Sequence, residues 1–139
     1  MVFRCFPSLL FDINAIYLDA IENNSLKRSL ELCEKNLKRW PGNVKIISLK
    51  SLALWYSGFE NEAKNLASVV TQKQPTDHFT ISVIERVLEF MDDFDSIALL
   101  CENALKYNYD IRIAEKLYFV YLKLHSTKKL YSVIFRLLF

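Results

Sequence analysis

Pro41 and Pro75 stand 34 residues apart, and the residues 17 positions before them, Asn24 and Gly58, keep the same separation, as do Ser29 and Ala63. Punctuation residues that recur at one fixed interval constrain a chain more than its composition does. Each copy must fold as the same small unit, and each unit must cover its neighbour. With Gly58 as the turn inside a unit, the chain divides into units 10–43, 44–77 and 78–111 and an incomplete unit 112–139. The turn asks for a residue that tolerates a positive φ, which glycine adopts freely and asparagine accepts. Each proline follows the second segment of its unit, where a residue without an N–H cannot extend a helix.

The second segments read as helices packed on one side. Their inward faces are Ser29, Leu32, Cys33 and Asn36; Ala63, Leu66, Ala67 and Val70; Ile97, Leu100, Cys101 and Ala104; and Tyr131, Ile134, Phe135 and Leu138. Fourteen of these sixteen positions are apolar at the i, i+3, i+4, i+7 spacing, so the amphipathic reading holds in every unit. Ser29 and Asn36 are the exceptions. The first segments fit less cleanly. Ile13, Ile16, Tyr17 and Ala20 form a stripe, and so do Tyr118, Phe119 and Leu122, but Lys50 and Glu85 fall where an apolar residue is expected. Either these helices are rotated slightly or the two charges meet across neighbouring units. In the later units Asp92 occupies the turn, Tyr109 replaces the proline, and Ser126 takes the last turn. Thirty-four residues per helix-turn-helix is the tetratricopeptide period. The expected fold class is therefore all-α, a tetratricopeptide-like helical-repeat solenoid of about three and a half units in a single domain over residues 1–139. Gly58-Phe59-Glu60-Asn61-Glu62-Ala63 with Pro75, and Glu102-Asn103-Ala104-Leu105-Lys106, match that repeat's consensus in the same register.

Two glycines in 139 residues exclude phosphate loops and dinucleotide fingerprints, which need glycines close together so that backbone can approach a phosphate. A glycine-bearing acetyl-CoA junction is absent for the same reason, and no catalytic residue, cofactor or metal is expected on this chain. Eighteen basic against sixteen acidic residues are too balanced for a dedicated nucleic-acid binder. Cys5, Cys33 and Cys101 form no metal-binding pair, and their odd number suits a reducing compartment. The longest charge-free run, residues 51–59, is far short of the roughly 20 residues needed to span a bilayer. Without a cleavable leader pattern in MVFRCFPSLLFD, the expectation is a soluble cytoplasmic protein.

The remaining features weigh toward binding. His78 and His125 have no ligand neighbours at metal spacing, and Asp92, Asp93 and Asp95 lack the glycine and distal glutamate of a calcium loop. Stacked helix pairs instead present a groove lined by first helices. Lys45, Ser48, Leu52, Trp55, Phe79, Ser82, Arg86 and Glu89 are its candidate partner-binding residues, with Trp55 the foremost as a large aromatic anchor. The carboxylate clamp by which some tetratricopeptide domains hold chaperone tails is not present, since its positions read Asn14, Leu18, Leu49, Phe79 and Val83. Residues 78–111 carry 2 basic and 7 acidic groups and residues 112–139 carry 6 and 1. These opposite blocks either attract each other, or Lys116, Lys123, Lys128, Lys129 and Arg136 form a patch for an acidic partner such as RNA. The final Phe135-Arg136-Leu137-Leu138-Phe139 leaves apolar residues with no following unit to cover them, which marks an interface or a missing continuation.

Residues Ile16-Tyr17, Glu22-Asn23-Asn24 and the run from Ser29 to Arg39 resemble the N-terminal repeats of auxiliary subunits of N-terminal acetyltransferase complexes. Leu52 to Ala63 is similar to their second repeat, and Gln74-Pro75-Thr76-Asp77 to the junction of the B-complex (NatB) branch. The likeness is best over residues 14–105. It implies a non-catalytic scaffold that wraps an acetyltransferase catalytic subunit, associates with ribosomes, and leaves acetyl-CoA and the chemistry to that partner. It implies no membrane and no small-molecule substrate. Subunits of that family are several times longer, so by this resemblance the chain is a short form or an N-terminal piece. The alternative is a generic tetratricopeptide adaptor in an unrelated cytosolic complex, and intrinsic catalysis is the weakest option.

Overall fold

The computed structural model describes residues 13, 15–17, 25–124 and 135, and among these it is all-α, without strands. The helices are α1 (Leu26–Arg39), α2 (Val44–Tyr56), α3 (Glu60–Gln72), α4 (His78–Phe90), α5 (Phe94–Tyr107) and α6 (Ile111–Lys123). They fall into two compact units, Met1–Val70 and Thr71–Phe139.

The turn chemistry repeats as the sequence requires. At the end of α2, Gly58 N–H donates to Trp55 O and Phe59 N–H to Leu54 O, at 3.1 and 2.9 Å. Thirty-four residues later Asp92 N–H donates to Glu89 O and Asp93 N–H to Leu88 O, at 3.0 and 2.9 Å. Both turns hinge on a left-handed residue, Gly58 at φ 90° and Asp92 at φ 54°, which lets the last carbonyls of each helix find donors. Helices α2, α4 and α5 start on side-chain caps. Asn43 accepts from Ile46 N–H, and Asp77 accepts from both the N–H and the hydroxyl of Thr80. Asp93 does the same for Ser96, so part of the acidic Asp92-Asp93-Asp95 cluster is the start of α5.

In the first unit α1 packs on α2, and two helix crossings are closed by serine hydroxyls. Ser29 Oγ donates to Ile16 O at 3.1 Å, and Ser51 Oγ donates to Ala63 O at 2.8 Å. Ser29 and Asn36, the polar exceptions on the expected inward face, are buried, and Asn36 Nδ2 donates to Leu32 O. Ala63, Ala67 and Val70 are buried alongside Cys33, while Leu32 and Leu66 are half-buried. Residues 46–49 and 51–54 of α2 are all buried, so this helix is enclosed all round and has no single inward stripe. Lys50, at the one half-buried position in that stretch, reaches Glu34 at 3.6 Å.

In the second unit α5 packs on both α4 and α6. Ile97, Leu100, Cys101 and Ala104 are buried, as the amphipathic pattern expects. The α6 face is different. Its buried residues are Ile113, Ala114, Leu117, Val120 and Tyr121, whereas the expected stripe of Tyr118, Phe119 and Leu122 is half-buried or exposed. The cause is a shorter period. The caps Asn43 and Asp77 are 34 residues apart, but Asp77 and Asp110 are only 33 apart, so a strict 34-residue register reads α6 one residue, about 100° of helix, out of phase. Phe135, placed by the same register on an inward face, is 64% exposed. Tyr131, Ile134, Leu138, Asn24 and Ser126 lie outside the described residues.

Gly58 has nothing within 4 Å of where a Cβ would stand, so only its positive φ opposes a side chain. Gly58→Ala is expected to lower stability by about 1–2 kcal/mol. Asp92→Gly, at the equivalent left-handed site, is expected to cost nothing or to raise stability by up to about 1 kcal/mol. Urea denaturation midpoints of the two variants read this contrast directly.

Candidate partner-binding groove

Within the second unit α4 and α6 flank a groove of about 560 Å³ that the start of α5 closes at one end. From α4 come His78, Glu85 and Glu89, and from α6 come Arg112, Lys116, Phe119 and Lys123. These are residues i, i+7, i+11 and i, i+4, i+7, i+11, so each set lies along one helical face. Glu115 and Val120 also line the groove, with Phe94 of α5.

The charges are arranged in pairs. Lys116 Nζ bonds Glu85 Oε1 at 3.2 Å with both side chains largely buried, 23% and 15% exposed. Burial raises the Glu85 carboxyl above the ordinary carboxylate range, and Lys116 pulls it back only in part. Arg112 folds onto Asp110, the cap of its own helix, through two side-chain bonds of 3.1 and 2.8 Å. This fork holds the Asp110 carboxyl down at about 2. Lys123 Nζ stands over the Phe94 ring, 4.7 Å from its centroid. His78 is shifted down by burial first and then by Arg112 and Lys116, and Ser82 Oγ stands 3.4 Å from its Nε2. Glu85 therefore meets Lys116, and Lys50 meets Glu34. Each of the two charges that interrupt the first-helix pattern has its own partner.

No group of three or more possible metal ligands occurs among the described residues. Cys33 and Cys101 are fully buried and their thiols are pushed up to about 12 by desolvation, so both are core residues without thiolate character. Tyr121 donates a hydrogen bond to Glu102, linking α6 to α5.

The eight expected partner-binding residues divide between α2 and α4. Ser48 and Leu52 have no exposed surface, and Ser48 Oγ bonds Lys45 O at 2.7 Å, so both are packing residues of the enclosed α2. Lys45 and Trp55 are half-buried at the two ends of the same helix. On α4, Phe79, Ser82 and Arg86 are half-buried and Glu89 is exposed. Of the eight, Glu89 lines the groove and Ser82 reaches it through His78. On α6, Arg112 and Phe119 are the groove residues that the sequence pattern does not single out. The spacing of Arg112, Lys116, Phe119 and Lys123 announces this α6 face in the sequence once the 33-residue period is allowed for. Of the five residues of the expected basic patch, Lys116 and Lys123 face this groove, and Lys128, Lys129 and Arg136 lie outside the described residues.

Helix-turn-helix units with left-handed turns 34 residues apart define a tetratricopeptide-like repeat, a class of fold that serves protein–protein interaction. The chain belongs to the family described as Psidin, N-terminal TPR repeats region, whose model matches residues 12–138. It is also similar to the phagocyte signaling-impaired protein of Drosophila pseudoobscura pseudoobscura, with 29% identity over 90 residues. Those residues are 65% of this chain but span only 9% of that relative's length. No described helix is long and apolar enough to cross a membrane.

The raised Glu85 carboxyl gives a signed pH dependence. The folded chain binds this proton more tightly than the unfolded one, so the contribution favours folding below the unfolded value and is lost as pH rises through the folded one. The stability of wild type relative to Glu85→Gln is therefore expected to improve between pH 7 and pH 4, a change that thermal melts at the two pH values measure.

Proposed function

We propose that the chain is a non-catalytic auxiliary scaffold of an N-terminal acetyltransferase complex of the B type. In this reading it holds the catalytic subunit that acetylates nascent chains in the cytoplasm beside the ribosome, and that subunit alone carries acetyl-CoA. One observation carries the reading. The stretch that resembles such auxiliary subunits, residues 14–105, lies inside the family match over residues 12–138. Its most distinctive junction, Gln74-Pro75-Thr76-Asp77, also has a structural role. Gln74 takes a left-handed conformation at φ 50° after α3, Pro75 is buried, and Asp77 caps α4. The side-chain inventory is in keeping with a scaffold, since the groove's cations are engaged mainly with groups of the chain itself.

A generic adaptor in an unrelated complex is the second reading. The observation on its side is the name of the Drosophila relative, which concerns phagocyte signalling and not acetylation.

Affinity purification of the tagged full chain from its own cells separates the two. An N-terminal acetyltransferase catalytic subunit is expected among the proteins recovered in stoichiometric amount. Recovery of a different stable partner without any acetyltransferase overturns the first reading in favour of the second.

A further inference from the structure

We infer that the groove between α4 and α6 takes a partner segment presenting a lysine or arginine next to an apolar side chain. The inference rests on the protein-binding part of the reading above and not on the identity of the complex. Formally the groove looks open to either sign of charge, with Arg112, Lys116 and Lys123 set against Glu85, Glu89 and Glu115. The pairing removes that symmetry. Arg112 is engaged by Asp110, Lys116 by Glu85, and Lys123 by the face of Phe94. Glu89 and Glu115 are exposed on opposite walls, and among the described residues their carboxylates are in no ion pair.

The same groove carries apolar surface. Phe119 is 61% exposed, and its ring is held edge-on against Tyr118 with centroids 5.5 Å apart. Val120 and Phe94 continue the surface. An anionic ligand would find only Lys123 outside an ion pair, and to gain a second cation it would have to part Arg112 from Asp110 or Lys116 from the largely buried Glu85. Such a step leaves a carboxylate without its partner. A cationic ligand meets Glu89 and Glu115 without breaking any pair, and its apolar neighbour covers Phe119. The cavity of about 560 Å³ has room for a few side chains of an extended or helical segment.

The purified full chain is titrated, by fluorescence anisotropy, into three labelled probes: an end-blocked peptide with a Leu-Lys-Phe-Arg core in Gly-Ser flanks, its Leu-Glu-Phe-Glu counterpart, and oligouridylate. The basic peptide is expected to bind about tenfold or more tightly than either other probe, with an affinity that falls as salt rises. Glu89→Gln with Glu115→Gln should weaken it about tenfold and flatten the salt dependence, and Phe119→Ala should weaken it without changing that slope. Circular dichroism melts establish that the variants fold. Stronger binding of the acidic peptide or of RNA overturns the inference, as does failure of the basic peptide to bind, or binding that the double variant leaves unchanged. Failure here with an acetyltransferase recovered in the purification above sinks the groove chemistry alone. The converse result sinks only the identity of the complex.

Discussion

The architecture depends on a backbone constraint that is met twice. A helix that must stop and let the next one start needs a left-handed residue to turn its last carbonyls onto new donors, and Gly58 and Asp92 provide it at matching positions. From those stops follow the lengths of α2 and α4 and the starts of α3 and α5, the latter capped by Asp93. Packing then does the rest, because short helices of this kind are stabilised mainly by burying an apolar face and not by intrinsic propensity.

How much of this is legible in the sequence depends on whether one helix carries the information by itself. The second helices of the second and third units do. Ala63, Ala67 and Val70, or Ile97, Leu100, Cys101 and Ala104, show their inward face through spacing alone, and they are buried. Helix α2 does not, because it is enclosed on every side and its pattern carries no single stripe. Ser48 and Leu52 therefore read as groove residues although they are core. Helix α6 is misread for a different reason. The connection from Asn108 to Asp110 shortens one period by a residue, and a fixed register then takes the exposed Phe119 for a buried one.

The groove was least legible because its character lies in pairs that join different helices. Glu85 and Lys116 are separated by 31 residues, and each alone looks like an interruption or part of a patch. Arg112 counts as a surface cation until Asp110 is seen to hold it in a fork. Blocks of opposite charge in residues 78–111 and 112–139 hinted at mutual attraction, and the Glu85–Lys116 pair is a realised instance of it. Which carboxylates remain for a partner becomes apparent only after the internal pairs have been taken out.

The buried serines of the first unit act differently from its apolar core. Ser29 reaches Ile16 O and Ser51 reaches Ala63 O, each from one helix to the carbonyl of its neighbour. Apolar surfaces tolerate small sliding, because one methyl contact replaces another at little cost. A hydroxyl with a single acceptor does not, since a shift along the helix axis strands it without a partner in a dry environment. The two hydroxyls work as detents on longitudinal slip. They fix where each helix sits along the next, and so hold the axial register through which one repeat can match the following one.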